Sequence, residues 1–104
     1  MFAQNVAIPS SVRIIRDNAF QQCKGFEEIV VPEGVEEIGM EAYAYCGYLR
    51  TITLPSTLKR IYSDVFKGST QLTKIRFNGS RESAPEFDFK SLGLNNPVEI
   101  EYLG

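Results

Sequence analysis

Apolar residues recur along this chain at a step of 23, with Pro9, Pro32 and Pro55 marking the register. Under that step whole columns fall into line. Val6, Ile29, Ile52, Ile75 and Val98 form one, and Ile8, Val31, Leu54, Phe77 and Ile100 another. Val12, Val35 and Leu58 follow, then Ile15, Ile38 and Ile61, then Ala19, Ala42 and Val65, then Phe20, Tyr43 and Phe66. Cys23, Cys46 and Ser69, and then Phe26, Leu49 and Leu72, complete the unit. A fixed period in the twenties marks a solenoid whose coils stack on one another.

Within a unit, Ile29 and Val31 alternate with polar or small neighbours until Pro32 stops the run, which predicts a short strand. Past the proline, Val35, Ile38, Ala42, Cys46 and Leu49 follow helical spacing, so a short helix or helical turn is expected on the return path. The inward side chains of one coil cannot offset the entropy of ordering it, so each coil needs neighbours above and below. The expected fold is an α/β solenoid with a short parallel sheet on one face and short helices or helical turns on the other. One domain spans residues 1–104, with coils at about 6–28, 29–51 and 52–74 and a capping coil at about 75–104.

The middle unit reads Ile29, Val31, Pro32, Val35, Ile38, Gly39, Ala42, Tyr43, Cys46, Leu49. It resembles the BspA-like class of leucine-rich repeats, found in surface proteins of bacteria and some parasites. The first unit matches through Val6, Ile8, Pro9, Val12, Ile15, Ala19, Phe20, Cys23 and Phe26, and the third through Ile52, Leu54, Pro55, Leu58, Ile61, Phe66 and Leu72, so the likeness covers residues 6–77. Arg16 and Tyr62 stand where the family has Gly, Ser69 where it has Cys, and Val65 where it has Ala. The resemblance implies a right-handed coil stack that binds a protein partner or serves adhesion, without catalysis or a cofactor. It also implies a place on the cell surface or in a secreted chain, and binding on the outer surface of the sheet.

That surface is expected to carry Ala7, Val30, Thr53, Arg76 and Glu99, flanked by Asn5, Glu28, Thr51 and Lys74. Tyr45 and Tyr48 fall out of core phase and are expected to lie exposed on the segment leading back to the strand, where tyrosines can anchor a protein interface. Phe20, Tyr43 and Phe66 are core, with the Tyr43 hydroxyl expected to reach the rim. Arg13, Glu36 and Lys59 share one column and Glu27 stands beside Arg50, which predicts solvated charge ladders between coils.

The two ends read differently. No polar cap precedes the first strand, so Ala3, Val6, Ile8, Val12 and Ile15 are expected along an open edge. Such an edge calls for further repeats, a second copy or a covering partner, and makes a self-assembling structural subunit of a larger particle the competing functional class. After Phe77 the repeat breaks; Phe87, Phe89, Leu92 and Leu94 are expected to cover the stack, and Val98 to Tyr102 to return as an acidic last strand. Asn78-Gly79-Ser80 matches a glycosylation sequon and reads as a turn.

Chemistry narrows the classes further. The net charge is −2, which gives no basic footprint for nucleic acid. No stretch approaches the roughly 20 apolar residues of a membrane span. The first residues lack the basic and apolar regions of a signal peptide, which fits either an intracellular protein or a piece of a longer secreted chain. With no histidine in 104 residues, a cysteine nucleophile has no imidazole base and a zinc site lacks ligands. Cys23 and Cys46 stack with parallel side chains, a geometry for buried thiols rather than a disulfide. Glu37 and Glu41 fall one helical turn apart on an outer face, where water leaves them ordinary.

Overall fold

The structure, a computed structural model, describes residues 11–22, 26–85, 91–94 and 97–104. Its strands are β1 (Ile14–Ile15), β2 (Glu28–Val30), β3 (Glu37–Ile38), β4 (Thr51–Leu54), β5 (Arg60–Ile61), β6 (Lys74–Phe77) and β7 (Glu99–Tyr102). They build two parallel sheets, one of three strands in the order β1-β3-β5 and one of four in the order β2-β4-β6-β7. The coils thus pair edge to edge, as the 23-residue step requires, with Ile29 opposite Ile52 and Ile52 opposite Ile75. This is a parallel-strand solenoid, the fold class read from the repeat.

The return path differs in detail from a helix. After Gly39, N–H groups bond to carbonyls three residues back, as in Ala42 to Gly39 (3.2 Å) and Ala44 to Glu41 (3.1 Å). Asn18, Glu41 and Asp64 take left-handed backbone with φ of 56–61°, and Gln22, Tyr45 and Gly68 do the same four residues on. One left-handed residue per turn stops helical propagation, so each coil makes consecutive turns. Those turns bond to the next coil instead: Phe20 N–H to Ala42 O at 2.8 Å, Tyr43 N–H to Val65 O at 3.0 Å, Phe66 N–H to Leu92 O at 3.0 Å. Glu37 and Glu41 are consequently not helical neighbours; Glu37 accepts from the Tyr62 hydroxyl and Glu41 from the Gln21 amide.

The last coil departs from the common step. Ile75 pairs with Ile100 and Phe77 with Tyr102, an offset of 25 rather than 23. Glu99 therefore stands opposite Lys74, and Glu101 opposite Arg76. A shift of two residues preserves which face each side chain occupies, and this is why the apolar alternation of the strand survives a longer loop. Leu92 and Val98 are buried in this coil and Leu94 packs against the core. Phe87 and Phe89 lie outside the described residues.

Inside, the aligned columns fill the space between the sheets. Ile29, Ile52 and Ile75, with Leu49 and Leu72, are buried. Phe20, Tyr43 and Phe66 form a stacked ladder, with centroids 5.3 Å and 6.4 Å apart and planes within 24°. Tyr43 is wholly enclosed, hydroxyl included, because aromatic rings cover it on both sides; the hydroxyl does not reach the rim. Ala19 is exposed, since the first coil has a described neighbour on one side only. Cys46 is buried, and its Sγ lies 3.4 Å from the Phe20 carbonyl oxygen. Cys23 lies outside the described residues.

Gly39 shows how closely the coils approach. An added Cβ would sit 2.6 Å from the Asp17 nitrogen and 2.8 Å from the Arg16 carbonyl carbon. Its N–H reaches Ile15 O at 2.7 Å, whereas Tyr62, one coil on, reaches Ile38 O at 3.0 Å and tolerates a side chain. Gly39→Ala should therefore cost about 1–3 kcal/mol by forcing the backbones apart. Gly47→Ala, where a Cβ meets nothing within 4 Å, should be neutral. Urea unfolding of the two variants checks the contrast.

Candidate protein-binding faces

The outward positions of the four-stranded sheet follow from strand alternation around the buried Ile29, Ile52 and Ile75. Glu28, Thr51, Lys74 and Glu99 form one row across the coils and Val30, Thr53, Arg76 and Glu101 the next. The rows change character along the stack. Lys74 pairs with Glu99 at 3.8 Å and Arg76 with Glu101 at 3.0 Å. The charges of β6 and β7 are thus satisfied within the molecule. At the other end Val30 stands 54% exposed on β2, with Thr51 and Thr53 partly open beside it.

The two tyrosines are both exposed and differ in freedom. Tyr48 is 61% exposed on the approach to β4. Tyr45 lies against the next coil: its ring occupies the space where a Cβ on Gly68 would fall, 2.4 Å from Cδ1. Its N–H donates to Lys67 O at 2.7 Å. Gly68, at φ 76°, leaves room for that ring and accepts the left-handed backbone without strain.

The charge ladders run as the columns indicate. Glu36 sits between Arg13 at 3.1 Å and Lys59 at 3.7 Å, and Arg50 reaches Glu27 at 3.6 Å. All are solvated, so each contributes at most about 1 kcal/mol. Glu33 holds the Ser56 N–H at 2.8 Å and also bonds the Ser56 hydroxyl. The carboxylates that cluster in the sequence are thereby distributed among separate ties between coils. Among the described residues no group of His, Cys, Asp and Glu could hold a metal ion, and no helix is long and apolar enough to cross a membrane.

The open apolar edge expected at the first coil is altered. Ile15 is only 3% exposed, because strand alternation turns it inward against the β3 coil, and Val12 packs partly against the core. Ile14 points outward in its place. Ala3, Val6 and Ile8, together with Asn5 and Ala7, lie outside the described residues. The sequence reading also missed the three-stranded sheet. Its two-residue strands are too short for period-two alternation to register, although the 23-residue spacing of Ile15, Ile38 and Ile61 marks their positions.

Comparison with known proteins agrees with this architecture. A family model described as a BspA type leucine rich repeat region matches residues 2–101, in six copies. The crystal structure of a leucine-rich repeat protein from T. pallidum aligns with 90% of this chain at a TM-score of 0.74 and 29% identity. The chain spans 43% of the length of that protein's chain. No curated protein sequence matches it.

Proposed function

This chain belongs to the BspA-type leucine-rich repeat family, and on that premise we propose that it is a non-catalytic protein-binding module serving adhesion at a cell surface. The observation that carries the reading is the open half of the four-stranded sheet, where Val30 stands exposed on a strand whose inward neighbours are fully packed. β2 pairs with β4 along Glu28–Val30, and Ile29 and Val31 are packed inward, which holds Val30 in its outward position, so a partner pays little ordering cost on docking. Val30 and Tyr48 supply apolar and aromatic anchors, with Thr51, Thr53 and Glu28 as a polar surround. The Lys74 and Arg76 end contributes less, because their charges are already matched by Glu99 and Glu101.

The test is site-specific photo-crosslinking with benzoylphenylalanine at Val30 and Tyr48, and at Lys59 on a different surface, against intact cells and their surface proteins. One partner protein should be captured from the first two positions and not from Lys59. Equal capture from all three, or capture from Lys59 alone, would remove the sheet face as the binding surface.

A further inference from the structure

On the three-stranded sheet, away from the proposed protein-binding face, a cleft of about 450 Å³ opens around Gly39. Its shape follows from one column, Arg16, Gly39 and Tyr62. The glycine leaves no side chain between two long ones, and the walls stand two coils apart, roughly 10 Å. Three exposed apolar side chains, Ile14, Met40 and Tyr62, meet there.

Its polar groups are of both signs. The Tyr62 hydroxyl donates to Glu37 Oε1 at 3.1 Å. Tyr62, and after it the charge of Glu37, hold the nearby Arg60 guanidinium above its ordinary pKa. The Tyr62 hydroxyl is thus tied to the preceding coil. Asp17 Oδ1 accepts the Met40 N–H at 2.8 Å. Asp17 and Glu37 both line the cleft, and so does Arg16, whose guanidinium has no carboxylate within ion-pair distance among the described residues.

These groups select the chemistry of an occupant. An apolar peptide would take a guanidinium and two carboxylates out of water while offering them no hydrogen-bonding groups, at a desolvation cost. A peptide of one charge would satisfy one sign and oppose the other. A neutral polyhydroxyl ligand does neither: its hydroxyls donate to carboxylates and accept from guanidinium, while its C–H face lies on an aromatic ring. We propose that this cleft binds a neutral saccharide, one or two pyranose units long, stacked on Tyr62 and hydrogen-bonded to Arg16, Asp17 and Glu37. The cleft volume falls in the range of small-molecule sites.

The experiment is an amide chemical-shift titration of ¹⁵N-labelled protein with lactose, maltose, cellobiose and diacetylchitobiose. At least one should shift the amides of Ile14, Arg16, Met40 and Tyr62 together, with Kd on the order of 1 mM. Tyr62→Ala and Arg16→Gln should each weaken it by about tenfold or more while leaving the melting temperature in place. Failure of all four sugars to move these amides would overturn the proposal, as would shifts that persist in Tyr62→Ala. So would selective perturbation of the same amides by the probe peptides Ac-Glu-Leu-Glu-Leu-NH₂ or Ac-Lys-Leu-Lys-Leu-NH₂, which would make the cleft a peptide groove.

Discussion

Phe66→Ala should lower folding stability by about 3–5 kcal/mol, the largest loss expected from a single truncation here. Phe66 is fully buried and is the last ring of the aromatic ladder among the described residues, 6.4 Å from that of Tyr43, itself 5.3 Å from Phe20. Truncation removes the transfer free energy of the ring and leaves a cavity between coils. The surroundings have little freedom to collapse into it, because Phe66 N–H is bonded to Leu92 O and Tyr43 N–H to Val65 O. Phe66→Leu retains much of the volume and should cost less than half as much. Urea unfolding followed by circular dichroism gives both values. A single transition with unchanged slope would show that the coils still melt together; a loss under about 1 kcal/mol for alanine would contradict the packing described.

Ser69→Ala should cost about 2–4 kcal/mol despite removing one atom, because two buried backbone groups lose their partner. The hydroxyl donates to Tyr43 O at 2.8 Å and accepts the Cys46 N–H at 3.0 Å, linking the second and third coils where water is excluded. Cys46 occupies the equivalent place one coil earlier, with its thiol directed at the Phe20 carbonyl. The Cys/Ser column thus works as a polar tie within an apolar core. Ser69→Cys should recover part of the stability, since a thiol repeats the contact more weakly. Thermal melting of the three proteins distinguishes this from a packing role, in which alanine and cysteine would be equally tolerated.

What the sequence displayed was the stack. A period carried by isoleucines, prolines and aromatics at a constant step defines strand pairing directly, because equivalent residues must lie side by side. It also placed Tyr45, Tyr48 and Val30 outside. It did not show the turns, since Val35, Ile38, Ala42 and Cys46 keep helical spacing while Glu41 and Tyr45, neither of them glycine, take left-handed backbone that breaks a helix. The 25-residue offset of the last strand was hidden because strand alternation has period two, so Val98 and Ile100 fit either register. The cleft was hidden for a different reason. Tyr62 read as a departure from the family's glycine, and only the fold shows it facing Arg16 across Gly39.

The most direct measurement of the functional account is the affinity of the photo-crosslinked partner for the parent protein and for Val30→Glu combined with Tyr48→Ala, recorded with both melting temperatures. Both residues are exposed and outside the core. Binding should therefore fall by about a hundredfold, or roughly 2.7 kcal/mol, while the melting temperature stays in place. Unchanged affinity with the same melting temperature would contradict a binding surface on the four-stranded sheet.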